Sequence, residues 1–358
     1  MSRRVYLHVG TPKSGTSYLQ DKLALNRAAL EQQGLDYVPT RTGNHFEAAL
    51  DLTGQRWAGE EKAARGQWDA LVTEARKARR HLLVSHEILA GAKPESVARA
   101  LSSFDGREVH VVVTARDLGR QVPAEWQERV KHRARRDYAT FLRALEKNYA
   151  ATDRKGFWQV QHLPRILATW GADLPPERVH LVTVPPPGAP RDLLWKRFAG
   201  VVGLSRRTAY AESGTTNASL GGAEVTLLRR LNSELAERKV SRDTYVGWVR
   251  ETIVKEVLAQ RPGMQVATVP PRHRAVIDQV TATWLEEIRS SGVHVAGDLD
   301  DLVPVWPTDH DPWPDPDRAD PQDVAEAAIA SLARVLEHLD SPAEETGPMA
   351  RLTRRWRG

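Results

Sequence analysis

The opening of the chain constrains the fold more than any other stretch. An apolar run, Val5-Tyr-Leu-His-Val, leads into Gly10-Thr-Pro-Lys-Ser-Gly15-Thr-Ser, and leucines then recur at helical spacing from Leu19. A strand, a glycine-bounded loop and a helix in this order direct backbone N–H groups and a helix N-terminus towards one point. The pattern predicts an anion-binding loop in the first strand–helix unit of an α/β protein.

Four further apolar runs predict strands, at residues 35–38, 81–84, 108–115 and 178–184. Segments with amphipathic helical spacing lie between them, which is typical of a parallel sheet covered on both faces. We therefore predict a three-layer α/β fold with a mostly parallel central sheet in residues 1–205.

The remainder of the chain shows helical periodicity only, from Leu220 onward, and predicts a helical C-terminal extension. We expect a helical part packed on the core at 206–305, then a strap rich in Pro and Asp with a final helix at 306–340. In that helix Val324, Leu332 and Leu339 fall on one face. Residues 341–358 predict a mobile basic tail.

The composition excludes several classes of protein. Hydrophobic residues make up 41% and charged residues 27%, which is typical of globular domains. The chain has no cysteine, so disulfides and thiolate catalysis are excluded. No apolar run approaches the roughly 20 residues that span a bilayer, and no signal peptide is visible, so we expect a cytoplasmic protein. The net charge of +5 favours anionic ligands weakly, and no motif predicts a nucleic-acid partner.

The position of the loop lysine separates two kinds of phosphate chemistry. In a Walker A loop a lysine follows the second glycine and reaches the β- and γ-phosphates. Here Thr16 holds that position, and Lys13 stands two residues before Gly15. No predicted strand end offers a convincing carboxylate for Mg²⁺, so the loop departs from the pattern of a P-loop kinase or NTPase at both positions.

Pro12-Lys-Ser-Gly-Thr-Ser17 resembles the 5′-phosphosulfate loop of sulfotransferases that use 3′-phosphoadenosine 5′-phosphosulfate (PAPS), whose pattern is P-K-[ST]-G-T-[ST]. The resemblance covers about residues 5–205 and implies a P-loop-type fold with PAPS as co-substrate and no required metal. It implies that Pro12, Lys13, Ser14, Gly15, Thr16 and Ser17 bind the phosphosulfate. Lys13 would also stabilise the leaving phosphate.

The family has a second landmark, an arginine at a strand end that holds the 3′-phosphate together with a serine eight residues later. Arg116 follows the strand at 108–115 and matches the arginine. Position 124 is Ala, so the serine is missing, and Gln127 or the basic side chains downstream of it are the candidates to replace it. Alternatively, Arg116 has no binding role and only forms an ion pair with a nearby carboxylate at the end of the strand. An Arg-Lys-Gly element of the family occurs at 154–156, at the wrong place in the chain order.

A general base is expected where the strand at 81–84 ends, in Ser85-His86-Glu87. The carboxyl ends of parallel strands line one crevice, so these residues should face Lys13. Sulfotransferases use histidine in some branches and glutamate in others; we favour Glu87, whose pKa burial would have to raise, over His86. His45 is a rival base. Alternatively, Ser85 caps the next helix and Glu87 is its first-turn acid.

The resemblance implies transfer of a sulfuryl group from PAPS to a hydroxyl or amine of a small molecule or glycan. Two other functions stay open from the residues: an atypical P-loop nucleotide kinase, and a non-catalytic nucleotide-binding protein, which the missing serine favours. Asp298-Leu-Asp-Asp301 contains a D-x-D, but it lies far from any predicted strand end. Asp309-His-Asp311 is typical of a turn. The acceptor and the oligomeric state are not predicted.

Overall fold

The computed structural model describes residues 3–57, 59–149, 151, 156–214, 219–307 and 313–340. The chain forms two compact units. The first unit comprises Met1–Gln121, Asp153–Thr216 and Ala275–Val305, and the second Val122–Thr152, Asn217–Arg274 and Trp306–Gly358. The division predicted from the sequence, at residues 205, 305 and 340, stays a prediction. The Asp309-His-Asp311 segment, the basic tail and residues 154–155 lie outside the described residues.

A six-stranded parallel sheet forms the centre of the first unit. Its strands are β1 (Arg4–His8), β2 (Leu35–Tyr37), β3 (His81–Ser85), β4 (Glu108–Ala115), β5 (Val179–Thr183) and β6 (His294–Ala296). They lie in the order β2-β3-β1-β4-β5-β6, and every pair is parallel. The α/β class and the parallel sheet predicted from the sequence are confirmed.

The helices are α1 (Thr16–Leu25), α2 (Arg27–Gln32), α3 (Phe46–Thr53), α4 (Glu61–Ala64), α5 (Gln67–Lys77), α6 (Pro94–Ser102), α7 (Leu118–Lys131), α8 (Tyr138–Tyr149), α9 (Phe157–Gln161), α10 (Leu163–Gly171), α11 (Leu193–Val201), α12 (Gly222–Glu237), α13 (Arg242–Thr244), α14 (Pro271–Ser291) and α15 (Pro321–Asp340). A π-helical stretch, Tyr245–Val257, follows α13, and short 3₁₀ turns include Glu87–Gly91. Asn26 separates α1 from α2, and Gly66, whose φ of 79° is not helical, separates α4 from α5.

Both faces of the sheet are covered because both sets of alternating strand residues are apolar. Tyr6 and Val112 pack in one cluster with Leu19 of α1 and Phe198 of α11. Residues of the opposite set, such as Leu7, are equally buried, and α10 contacts β4 and β5. Three layers result, with the carboxyl ends of all strands at one edge of the sheet.

The expectation of helices alone beyond Leu220 is wrong, because β6 pairs in parallel with β5 through His180 and His294. Three residues are too few to give a readable strand pattern. Gly297, with φ of 130°, ends the strand, and a Cβ there would lie 2.1 Å from Thr183 Oγ1. The chain therefore needs glycine at this close approach.

The D-x-D residues follow β6 directly, so their predicted distance from any strand end is also wrong. The Asp301 carboxylate accepts hydrogen bonds from Thr183 Oγ1 at 2.7 Å and from Arg197 Nη1 at 2.6 Å. Asp298 and Asp301 form a capping box on the 3₁₀ turn Leu299–Leu302. These carboxylates fasten the edge of the sheet.

The final helix α15 is rotated relative to the face predicted for it. Val324 is buried, whereas Leu332 and Leu339 are 60% and 65% exposed. Arg334 of α15 donates to Glu256 at 2.9 Å, and this ion pair helps to set the rotation of the helix within the second unit. None of the described helices has both the length and the apolarity that crossing a bilayer requires.

Three histidines form a hydrogen-bonded row across β4, β5 and β6. Glu108 Oε1 lies 2.8 Å from His110 Nε2, His110 Nδ1 lies 2.9 Å from His180 Nε2, and His180 Nδ1 lies 3.0 Å from His294 Nδ1. A carboxylate only accepts, so each ring in turn donates towards Glu108. His180 must then be neutral, and burial, followed by the neighbouring His110 and His294, lowers its pKa to about 4.

We expect this row to make the protein less stable in acid. The pKa of His180 is about 6.5 in the unfolded chain and about 4 in the folded protein, so the unfolded chain binds the proton first. The contribution is present above pH 6.5 and is lost as the pH falls towards 4, up to about 3 kcal/mol. Urea unfolding at several pH values measures it. His180→Gln should reduce the change in the free energy of unfolding with pH, and the exposed control His132→Gln should not. The same pH dependence in both variants would contradict the role of His180.

Candidate active site

The three parts of the site expected from the sequence lie on neighbouring strands of the first unit. The glycine-bounded loop follows β1, the Ser85–Glu87 segment follows β3 and Arg116 follows β4. β1 is hydrogen-bonded to both other strands, with His8 opposite Ser85 on one side and Val112 on the other. The parallel topology therefore brings all three parts to one edge of the sheet.

Both glycines of the loop are required by close contacts. A Cβ at Gly10 would lie 2.0 Å from Thr16 Cγ2. Gly15 has a left-handed φ of 82°, and a Cβ there would lie 2.5 Å from Leu194 Cδ2. Only glycine fits at either position, so the backbone can pass tightly from β1 into α1.

The N-terminus of α1 follows Gly15 and is built for an anion. Among the described residues no side chain caps this helix, so its first N–H groups point towards the loop without a side-chain acceptor. Lys13 stands in the loop with a φ of 67°, a left-handed conformation that is unfavourable for a residue with a Cβ. The carbonyl of Pro12 accepts from the amides of Gln121 and Gln161, the latter at 2.9 Å, and these bonds fix the backbone before Lys13.

A buried chain of hydrogen bonds runs beneath the loop and has one possible direction. Ser14 Oγ donates to the Thr11 carbonyl at 2.6 Å, so it accepts from Thr114 Oγ1 at 2.7 Å. Thr114 Oγ1 in turn accepts from His8 Nε2 at 3.1 Å, and His8 Nδ1 accepts from Ser85 Oγ at 2.7 Å. The chain connects the ends of β1, β3 and β4.

This chain fixes the roles of two serines. Burial lowers the pKa of His8 to about 3, so its ring stays neutral with the proton on Nε2. The hydroxyl of Ser14 holds the loop together from within. Ser85 binds His8 and does not cap the next helix, so that part of the alternative is wrong; His86 Nδ1 is the cap and accepts from Ile88 N–H at 3.2 Å. The other part is confirmed, since Glu87 is the acid in the first turn of that 3₁₀ helix.

Glu87 lies at the edge of the site with its carboxylate ionised. Gln20 Nε2 donates to Glu87 Oε2 at 3.1 Å, and the side chain is 30% exposed. Burial raises the pKa of Glu87, but His86, the backbone N–H of Glu87, Gln20 and Lys13 together hold it below its ordinary value. The raised pKa that the sequence argument required is therefore wrong. The influence of Lys13 agrees with both side chains facing one crevice.

The two histidines considered as bases are both constrained. His45 Nε2 donates to the Val38 carbonyl at 2.7 Å and Nδ1 accepts from Ser85 N–H at 3.0 Å, so both ring nitrogens are committed to backbone. Burial lowers the pKa of His45 to about 4. Burial also lowers the pKa of His86, whose Nδ1 serves as the helix cap.

Arg116 carries a positive charge that no described carboxylate pairs with. Asp117 binds Arg120 instead, so the alternative of a plain ion pair at Arg116 is wrong. Arg116 Nε is buried, and among the described residues it has no hydrogen-bond partner. Burial and the neighbouring Arg120 lower the pKa of Arg116 to about 10, against the opposing effect of Asp117, and the guanidinium is still charged at neutral pH.

Position 124 lies on α7 and carries no side-chain hydroxyl, as the sequence shows. Gln127 does not replace it. Within the second unit its amide accepts from Leu220 N–H at 3.0 Å and donates to the Leu220 carbonyl at 2.8 Å, which uses both ends of the side chain.

Sequence analysis missed His8, Thr114 and Gln20. His8 and Thr114 are polar residues at the carboxyl ends of strands that are mainly apolar, which is a usable signal of a buried hydrogen-bonded pair. Gln20 has no such signal, because an amide on a helix is common on any exposed face. In the described part of the chain no group of three or more His, Asp or Glu side chains is arranged to hold a metal.

No protein-family model matches the sequence, and a search of curated proteins finds no match. Among solved structures, a sulfotransferase from Alicyclobacillus acidocaldarius aligns with 68% of this chain and 99% of its own, at 15% identity and a TM-score of 0.42. The sulfotransferase domain from the curacin biosynthetic pathway aligns with 57% of this chain and 75% of its own, at 12% identity and a TM-score of 0.30. The sulfotransferase domain from the Synechococcus PCC 7002 olefin synthase aligns with 57% of this chain and 74% of its own, at 15% identity and a TM-score of 0.31.

Proposed function

We propose that this protein is a PAPS-dependent sulfotransferase that acts on a hydroxyl or amine of a small molecule or glycan. The observation that carries the proposal is a pair of anion sites on adjacent strands. One is the N-terminus of α1, which no described side chain caps, together with Lys13. The other is Arg116, whose buried Nε has no hydrogen-bond partner among the described residues. A nucleotide with phosphate groups on its 5′ and 3′ oxygens requires two such sites.

The loop supports the 5′ end of this nucleotide. The N–H groups of Gly15, Thr16 and Ser17 lie at the start of α1, where the helix dipole favours negative charge. Pro12 and Ser14 would shape the loop and not donate to the phosphate, because proline has no N–H and the Ser14 N–H and hydroxyl both donate to the Thr11 carbonyl. Arg116 would hold the 3′-phosphate at the end of β4.

In the reaction, the acceptor oxygen or nitrogen forms a bond to the sulfur of PAPS. The bond between that sulfur and the bridging phosphate oxygen breaks, and 3′,5′-ADP leaves. Lys13 would stabilise the negative charge that develops on the leaving oxygen, and in this proposal that task needs no metal. The acceptor proton passes to a base on the enzyme.

Glu87 is the best-supported base, as an ionised and partly exposed carboxylate influenced by Lys13. His45 has both ring nitrogens on backbone groups, and His86 has one nitrogen in the helix cap. The proposed function requires only a small molecule or glycan as the acceptor. It does not depend on a cytoplasmic location.

Calorimetry with 3′,5′-ADP tests the proposal. We expect binding without Mg²⁺, and we expect Arg116→Ala to weaken it about thirtyfold, since charged hydrogen bonds to the 3′-phosphate are lost. Binding of 5′-AMP, which lacks that phosphate, should be unchanged. The exposed control Arg143→Ala should alter neither. Tight binding of ATP with Mg²⁺ and none of 3′,5′-ADP would instead favour a nucleotide kinase.

A further inference from the structure

A small cavity lies beside Arg116 in the first unit. Its volume is about 10 Å³, and its wall includes Leu163 of α10 and Leu285 of α14. Arg116, Thr281 and Trp284 supply the polar part of the wall together with Thr11 and Gln161. A space of this size accommodates one oxygen atom with its hydrogen-bond partners.

Three buried polar atoms of residues that line this cavity have no hydrogen-bond partner among the described residues. They are Arg116 Nε, Thr281 Oγ1 and Trp284 Nε1. Thr281 and Trp284 are only 4% and 5% exposed, so bulk water does not satisfy them. The two residues are three positions apart on α14 and therefore share one helix face. Buried polar groups are rarely left unpaired, so the cavity has the character of a binding site.

The chemistry of these atoms selects the occupant. A guanidinium N–H and an indole N–H can only donate, and a threonine hydroxyl can donate as well. None of the described residues that line the cavity carries a carboxylate. Donors around a single oxygen-sized space, one of them cationic, favour an anionic oxygen over a neutral group that must also donate.

We propose that the cavity receives one oxygen of the phosphate that Arg116 binds, and that Thr281 and Trp284 of α14 supply the donors that the missing hydroxyl at position 124 does not. This inference rests on the proposed function, because it takes the 3′-phosphate of the nucleotide as the ligand. It assigns a binding role to a helix in which the sequence showed no chemistry.

Two variants remove these donors with little change in shape. Trp284→Phe keeps an aromatic ring against Trp158 and His162, whose ring centroids lie 5.9 and 5.3 Å from that of Trp284, and removes the N–H. Thr281→Val replaces the hydroxyl by a methyl group. We expect each variant to weaken 3′,5′-ADP binding about tenfold in calorimetry and to leave 5′-AMP binding within about twofold.

Matched variants separate a binding role from a structural one. Thr281→Ser, which keeps the hydroxyl, should restore 3′,5′-ADP binding, and Thr283→Val, on the exposed side of α14, should change nothing. If Trp284→Phe does not fold, the Thr281 pair still decides the question. Equal weakening of both nucleotides, or no change in either, would overturn the inference and assign the cavity to a structural water. If the unaltered protein binds neither nucleotide, the proposed function itself fails.

Discussion

Replacing Lys13 by alanine is expected to lower kcat for sulfuryl transfer about a thousandfold. Lys13 is the cation of the loop at the N-terminus of α1, and the charge on the leaving phosphate oxygen grows as the bond to sulfur breaks. Losing a preorganised donor at such an oxygen typically costs 10²–10³ in rate, and here a full charge is lost as well. The measurement is transfer of label from radioactive PAPS to an acceptor that the unaltered enzyme accepts.

The matched control is Lys93→Ala, which removes an exposed lysine that precedes α6. It should leave kcat unchanged. Both variants should unfold at the temperature of the parent or above it. Full turnover by the Lys13 variant would exclude the proposed role and leave the loop as a binding element alone.

Glu87→Gln is expected to lower kcat by about 10²–10⁴-fold with little change in the KM for PAPS. The amide is nearly isosteric and can still accept the hydrogen bond from Gln20, so the local structure should persist. It cannot take up the acceptor proton, and general-base catalysis contributes factors of this size. Steady-state kinetics with varied PAPS and fixed acceptor separate kcat from KM.

The companion variants identify the base. Glu95→Gln on the exposed face of α6 should behave as the parent, and His86→Asn should keep most of the activity. If the His86 variant loses turnover while Glu87→Gln retains it, the base is His86. The lowered pKa of Glu87 further predicts that the acid limb of the kcat/KM profile, which reports the free enzyme, lies below the range of an ordinary carboxyl.

The parts of the fold that the sequence predicted are those specified locally. β4 is dense in β-branched residues, and the positions of Gly10 and Gly15 predict a tight loop between β1 and α1. The meeting of the loop, Glu87 and Arg116 at one edge was predictable because parallel strands share an orientation. Local pattern and general topology were sufficient for these features.

The features that the sequence did not predict depend on contacts between distant residues. The three residues of β6 form a strand because they pair with the edge strand β5. The paired residues His180 and His294 are 114 positions apart in the chain. The cavity beside Arg116 brings in Thr281 and Trp284, whose helical spacing predicts only a buried face. Burial raises the pKa of Glu87, but the adjacent His86 and the backbone N–H of Glu87 lower it most, and Gln20 and Lys13, which are distant in the chain, add to that lowering.

At Lys13 the backbone conformation lowers the stability of the fold, whereas the side chain supplies the charge that the proposed reaction uses. A left-handed φ of 67° costs a residue with a Cβ about 1–2 kcal/mol, and glycine would adopt it freely. The same conformation orients the lysine side chain from a loop that two glutamine amides hold in place. Selection for stability alone would therefore favour glycine at position 13 and discard the cation. Lysine at position 13 therefore lowers the stability of the fold and supplies a charge to the site. A screen for thermostable variants of this protein should return inactive ones with substitutions in this loop.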